Sequence, residues 1–256
     1  IFFGSSVSLS SSGQTVAIGA DLDSKAAVNA GMTQIFRYNY SLKRWEQLGQ
    51  TISGENEQDR LGSQVVLAGS GDMVAVGVPT ERNLNGHVKT FVYDGNDWVA
   101  LGSPIKDYHF DTDSVTSSID LSFDGLTMAV RTPFNLKMLK FDASIFDWVE
   151  NTPEIVAGTL GPFSLSPDGH TMAVTKTSGW FGSSTIFVDI YRRDNGNNID
   201  TEWKVEESFL LPINAQPASI FLSNHDLLAV GCPECSASPY KQTRSANFGT
   251  SVVISF

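Results

Sequence analysis

Residues 1–20 read IFFGSSVSLSSSGQTVAIGA, and a version of the same phrase returns at 61–79 as LGSQVVLAGSGDMVAVGVP and at 166–174 as SPDGHTMAV. Five segments align on an Ala held between bulky apolar residues: Val16-Ala17-Ile18, Val74-Ala75-Val76, Met128-Ala129-Val130, Met172-Ala173-Val174 and Leu228-Ala229-Val230. Ahead of each lies a stretch with alternating apolar positions, Val7/Leu9, Val65/Leu67, Ile119/Leu121, Phe163/Leu165 and Ile220/Leu222. Period-two alternation is the signal of a β-strand. Between the two strands sit Ser12-Gly13, Ser70-Gly71, Asp124-Gly125 and Asp168-Gly169, and in the fifth copy Asn224-His225-Asp226. Such pairs tolerate the positive φ that short hairpin turns demand, so each copy opens with a hairpin.

A variable loop follows each hairpin, then a third strand ending in an aromatic: Tyr38, Tyr93, Phe141, Tyr191 and Phe256. Four copies continue through a polar turn to a strand carrying Trp45, Trp98, Trp148 or Trp203, and the fifth stops at Phe256. Four antiparallel strands recurring every ~50 residues are the pattern of a β-propeller, in which each blade is one meandering sheet. A sandwich of some twenty strands gives no reason for that period. The expected architecture is all-β, one propeller domain over residues 1–256, with blades near 3–52, 61–105, 115–155, 160–211 and 217–256 and no outer strand in the fifth. The recurrent Ala fits a second strand covered on both faces by neighbouring blades. The Trp fits an outer strand, where an amphipathic ring closes the blade edge. A start inside the first hairpin suggests that an upstream segment completes the fifth blade.

Phe3-Gly4, Leu61-Gly62, the Ala-Val-Gly-x-Pro run from Ala75 to Pro79 and the Gly-x-Val-x-x-Phe/Tyr third strand resemble FG-GAP-type repeats, the family of the integrin α head. The resemblance spans nearly the whole chain. It is strong in the first two copies and weak in the third and fourth, where RTP and TKT replace the Gly-x-Pro element. The SPDG turn at 166–169 is also similar to turns of WD-repeat propellers, but the Trp-Asp ending of those repeats is missing. The FG-GAP resemblance implies a recognition or scaffold platform outside the cytoplasm, secreted or on a surface, with a protein or surface-glycan partner. Integrin repeats often carry calcium in an Asp-rich hairpin loop. The turns here lack three spaced carboxylates, so no cofactor is expected. Two other groups bring carboxylates closer, Asp21 with Asp23, and Asp107 with Asp111 and Asp113; each is read as solvated loop before cation site.

Composition narrows the partners. The net charge of −11 on 256 residues opposes binding to nucleic acid or to anionic membrane surfaces. No apolar run approaches the ~20 residues of a membrane span, so no direct membrane insertion is expected. Both cysteines lie in one Cys-Pro-Glu-Cys run, Cys232 and Cys235. This spacing leaves open a small disulfide loop, idle thiols, a redox pair or half a metal site. The preceding strand-like LLAVG argues against a redox pair, which needs a helix N-terminus, and zinc lacks further ligands.

No nucleophile elbow, phosphate-cradling Gly loop or His-Glu-x-x-His run occurs, and the four histidines are scattered, so the chain is read as non-catalytic. Loops joining strands two and three and those joining blades vary without disturbing the sheets, and they are where partners are expected. Their aromatics are Trp180 and Phe181, and Tyr108 and Phe110; either pair anchors a partner or folds back to cap a blade. The last loop carries Tyr240, Lys241 and Arg244, a basic island on an acidic chain. Asn39-Tyr40-Ser41 is a glycosylation sequon in the turn after the third strand, read as exposed. The alternatives kept are a docking subunit of a larger complex and a carbohydrate-binding or hydrolytic propeller.

Overall fold

The structure, a computed structural model of the chain, describes residues 3–79, 86–108, 119–132, 135–150, 155–156, 159–178, 185–193, 203–210, 219–222 and 228–231. The hairpins lie where the repeat requires. In blade one, β1 (Ser6–Leu9) pairs with β2 (Thr15–Ala20), then β3 (Met32–Asn39) and β4 (Arg44–Gln47), with the short β5 (Ile52–Ser53) beside β3. Blade two runs β6 (Val65–Leu67), β7 (Met73–Val78), β8 (Gly86–Tyr93), β9 (Trp98–Ala100) and β10 (Ile105–Tyr108). Blade three repeats it with β11 (Ile119–Leu121), β12 (Thr127–Arg131), β13 (Asn135–Asp142), β14 (Asp147–Glu150) and β15 (Ile155–Val156). Blade four is β16 (Thr159–Leu165), β17 (Thr171–Ser178), β18 (Thr185–Arg192) and β19 (Lys204–Leu210); of blade five, β20 (Ser219–Leu222) and β21 (Leu228–Gly231) are described. Every pairing between these strands is antiparallel, and no helix occurs among the described residues. The fold is all-β, a β-propeller whose blades follow one another along the sequence.

The turns are longer than two residues. In blade one the Gly13 N–H donates to Ser10 O and the Ser10 N–H to Thr15 O, a four-residue loop with glycine alone in the left-handed region (φ 69°). The same two bonds close the turns at Gly71, Gly125 and Gly169. A β-carbon on L residues at that φ costs energy that glycine avoids. Buried Ser10, Ser122 and Ser166 each accept from the backbone N–H five residues on, at Thr15, Thr127 and Thr171. The spelling Ser-x-Ser/Asp-Gly-x-Thr is therefore a turn with its own hydrogen-bond acceptor. Blade two writes Ala68 and Met73 at the same places and dispenses with it.

The third strand departs from the sequence reading in two ways. Its outer edge is shared by two short strands in blades one to three, β4 and β5 on β3, β9 and β10 on β8, β14 and β15 on β13. In blade four it is covered by the single β19, with Trp203 just ahead of that strand. The second departure is register. The N–H groups of Tyr38, Tyr93, Phe141 and Arg193 each donate to the carbonyl at the residue before the second strand, Gln14, Asp72, Leu126 and His170. Arg193, not Tyr191, thus holds the fourth copy's aromatic position, and Tyr191 matches Phe36 and Phe91. The "IYRR" spelling hides the two-residue offset because an aromatic still stands close by.

The chain divides into two compact units. In the first (residues 1–110, 118–133 and 137–151), Ala17 and Ile35 on one face of blade one meet Leu61, Val65, Leu67, Val74, Val76 and Trp98 of blade two. The opposite face of blade two, with Met73, Ala75 and Val88, meets Ile119, Leu121, Met128, Val130 and Leu139 of blade three. The second unit, which holds blade four and β20–β21, has its own cluster of Ala173, Val188, Ile190, Leu222 and Leu228. Ala17, Ala75, Ala129 and Ala173 are all fully buried. Ala17, Ala75 and Ala173 each lie in a cluster with residues of the following sheet, where a longer side chain would hold the sheets apart.

Trp98 shows what the recurrent tryptophan does. Its indole N–H donates to Leu48 O at 2.8 Å, while Gln50 brackets its backbone, accepting from Trp98 N at 2.7 Å and donating to Trp98 O at 2.7 Å. The ring lies against Gly49 (φ 69°), where a β-carbon would sit 2.8 Å from Trp98 Cδ1. Trp148 repeats the arrangement one blade on, donating to Thr90 Oγ1 at 2.9 Å and lying beside Gly102. The glycine that breaks the outer strand of one blade is the seat for the tryptophan of the next.

Candidate functional site

The most elaborately built loop region lies in the first unit, where the connection from β2 to β3 (residues 21–31) meets the connection from blade one to blade two (residues 54–62). Backbone bonds lace the two together: Gln58 N to Val28 O, Arg60 N to Asn29 O, Leu61 N to Ala30 O and Gly54 N to Gly31 O, each 2.9–3.0 Å. Gly31 and Leu61 form a parallel bridge so close that a β-carbon on Gly31 would lie 2.2 Å from Leu61 O. Three non-glycine residues here adopt the left-handed region, Asn29 (φ 49°), Gln58 (φ 66°) and Arg60 (φ 53°). Each such residue costs about 1–3 kcal/mol and persists only where its surroundings hold it.

The aspartates of this region are buried rather than solvated, which corrects the reading of Asp21 and Asp23. Asp21 Oδ2 accepts from Arg60 Nη2 at 2.6 Å and from Arg60 Nε at 3.2 Å, so a guanidinium supplies the positive charge a metal would have brought. Asp23, 2 % exposed, accepts from Lys25 N at 3.0 Å through Oδ1, and its Oδ2 has no hydrogen-bond partner. Asp59 is spent on the turn, its Oδ2 accepting from Glu55 N and Asn56 N at 3.0 and 2.8 Å. Asp23 Oδ2 is thus a buried carboxylate oxygen without a hydrogen-bond partner. Among the described residues no three His, Cys, Asp or Glu side chains stand together to hold a metal ion. Beside the region, His87 at the start of β8 is held below its ordinary pKa by burial first and the Lys89 charge second, against the pull of Asp59 and Glu55.

The other residues singled out from sequence scatter. Tyr108 and Asp107 are not in a loop: both belong to β10, where Tyr108 pairs with Gly86. Phe110, Asp111, Asp113, Trp180, Phe181, Tyr240, Arg244, Cys232 and Cys235 lie outside the described residues. Asn39 is not a free surface amide. Its Oδ1 accepts from Ser41 N and Leu42 N at 3.0 Å, closing the turn, and its Nδ2 donates to Glu46 Oε2 at 2.8 Å. That bond, followed by those from Arg44, holds the Glu46 carboxyl below its usual range.

Two arrangements escaped the sequence reading. Arg60 was hidden in "QDRLG" because its partner Asp21 is 39 residues away. In blade four, Lys176 Nζ reaches Asp189 Oδ2 at 3.1 Å and the Tyr191 hydroxyl, while Ser208 Oγ donates to Asp189 Oδ1 at 2.7 Å. Burial pulls the Lys176 pKa down, but these hydrogen bonds outweigh it and leave it raised. The signal was an opposite charge on each of two facing strands, in TKT and VDIY.

No protein-family model matches the chain, and no curated protein matches it. Solved structures do. A functionally unknown protein from Desulfotomaculum acetoxidans DSM 771 is similar at 14 % identity and TM-score 0.54, over 84 % of this chain and 58 % of its own. The β-propeller domain of Cps50 (Swd1) from Myceliophteria thermophila is similar at 11 % identity and TM-score 0.57, over 91 % of this chain and 67 % of its own. At these identities the likeness is one of fold, and the class it defines is the β-propeller. Among the described residues no helix is long and apolar enough to cross a membrane.

Proposed function

We propose that this chain is a non-catalytic recognition propeller of the FG-GAP type, working outside the cytoplasm and binding a protein or surface-glycan partner through its loop connections. One observation carries the reading: three non-glycine residues in the left-handed region, Asn29, Gln58 and Arg60, concentrate in one laced loop pair. The sheets do not require this strain, whereas a pre-formed binding loop does, because rigidity fixed before binding need not be imposed by the partner. Leu61-Gly62, one of the pairs that carry the FG-GAP resemblance, lies within this region.

The test is binding of the labelled protein to a glycan array and to intact cells, wild type against Arg60→Ala. The expected result is a signal that falls at least about tenfold in the variant, the loss typical of a binding hot spot, read at a temperature where both proteins are folded, because removing the partner of buried Asp21 lowers the melting temperature. Absence of wild-type signal on both surfaces, or equal signal from the variant, overturns the reading. A docking subunit is the second reading, favoured by exposed apolar turns between third and fourth strands, Tyr40 and Leu42 in blade one and Ile145 and Phe146 in blade three.

A further inference from the structure

Asp23 is the hub of the 21–31 connection. Its N–H donates to Ala20 O at 3.1 Å, its carbonyl accepts from Gly31 N at 2.9 Å, and its Oδ1 accepts from Lys25 N at 3.0 Å. Oδ2 has no hydrogen-bond partner, although the residue is only 2 % exposed. The turn does not need that second oxygen. Asn39 closes a turn of the same kind in this chain, its Oδ1 accepting from the N–H two residues on, so an amide would serve at residue 23 equally well. What aspartate adds is a second acceptor and a negative charge, both withdrawn from water. An uncompensated buried charge is strongly destabilising.

The neighbouring positive charges are committed elsewhere. Arg60 is paired with Asp21 at 2.6 Å, Lys89 with Glu55 at 2.6 Å, and Lys25 is exposed. A second buried oxygen without a partner, Thr33 Oγ1, stands on β3 against Gly62 of the 54–62 connection, where a β-carbon would lie 2.9 Å from it. The backbone bonds between the two connections, and the left-handed Asn29, Gln58 and Arg60, hold this loop pair in one arrangement. A buried water would give Asp23 Oδ2 a hydrogen bond but no opposite charge. A cation supplies both a partner for the lone pair and the neutralising charge.

We propose that Asp23 Oδ2 anchors a hard cation of the calcium class in the laced loop pair, with backbone carbonyls and water completing its coordination. Oxygen donors select such a cation, and calcium accepts an irregular shell of carboxylate, carbonyl and water oxygens where magnesium demands a near-ideal octahedron. The site belongs to the connection between β2 and β3 and not to a hairpin turn, where integrin-type repeats carry calcium. Built on a single aspartate as its charged ligand, it falls at the weak end of calcium sites, with a Kd of about 0.1–1 mM. The inference is independent of the recognition proposed for the same loops, since cation binding is read with no partner present.

Calorimetric melts of the full chain, stripped with EDTA and titrated with calcium chloride at constant ionic strength, test this. The expected wild-type melting temperature rises by about 4 °C at about 10 mM calcium, the gain of a site filled well above its Kd, and magnesium at equal concentration gives a smaller rise. Asp23→Asn keeps the turn acceptor, melts at or above the stripped wild type because the unpaired charge is gone, and gains nothing from calcium. Asp23→Ser takes its place in the titration should the Asn variant not fold. A wild type whose melt calcium does not move overturns the proposal. So does an Asp23→Asn variant that gains as much as wild type, or a gain that sodium chloride reproduces at equal ionic strength.

Discussion

Blades one and two are spelled almost alike and are treated oppositely by the structure. Val65, Leu67 and Trp98 are 3–5 % exposed, whereas Val7, Leu9 and Trp45, at the same places in the repeat, are 44–60 % exposed. Their local structure is the same: equivalent hairpins, equivalent turn bonds, equivalent pairing of Tyr38 with Trp45 and Tyr93 with Trp98. The face of blade two has the reverse side of blade one packed on it. An apolar side chain in this repeat is written for a neighbour, and burial follows from the neighbour rather than from the residue.

The largest expected effect that sharpens this contrast is at the tryptophans. Trp98→Ala removes a ring seated on Gly49 with its N–H bonded to Leu48, and should cost about 4 kcal/mol, while Trp45→Ala, which loses only a ring contact with Tyr38, should cost about 1 kcal/mol or less. Denaturant unfolding of both variants reads the difference. Equal costs would mean that the Trp45 face is covered within the single chain.

Next come the central strands. Leu67→Ala leaves a cavity between two packed sheets, for about 3 kcal/mol, and Leu9→Ala should stay within about 0.5 kcal/mol under the same conditions. Equal costs at the two positions would mean that the Leu9 side chain is as well packed as Leu67.

The smallest effect concerns pH. His87 of blade two pairs with Val78 where blade one pairs Met32 with Ala20. Its pKa is lowered in the fold, so the neutral ring is the favoured form there and the unfolded chain takes up the proton first. Stability should hold above the ordinary value of about 6.5 and decline as pH falls from there to the lower folded pKa, then level off. His87→Met, which writes blade one's residue into blade two, should flatten that decline, by about 1 °C in melting temperature between pH 7.5 and 5.5. An unchanged pH profile in His87→Met would assign the decline to another group.

Much of the fold was legible in the sequence because its signals are local. Alternation in Val7/Leu9 and Val65/Leu67, glycine at the left-handed turn positions Gly13 and Gly71, and Ala17 and Ala75 between apolar neighbours each act within one hairpin. The turn acceptors Ser10, Ser122 and Ser166 are local as well, with donor and acceptor five residues apart. Register was less secure. An aromatic at Tyr191 imitated the position that the backbone bond of Arg193 assigns two residues later.

The loop region was the least legible part. Asp21 and Asp23 read as solvated loop because the run lacks the glycine and bidentate glutamate of a developed cation site, and Arg60 arrives only when the 54–62 connection folds onto the 21–31 loop. The sequon at Asn39 was legible as a motif, whereas the bonds of its amide to the turn and to Glu46 were not.

By itself, then, the sequence determined the repeat, the strands, the hairpin turns and which side chains must face a neighbouring sheet, since these depend on residues a few positions apart. Tertiary structure alone decided which of those faces are covered, where Trp98 finds its acceptor and that Asp21 meets Arg60. Burial and ion pairing join residues 39 to 50 positions apart, and no short stretch of chain records that distance.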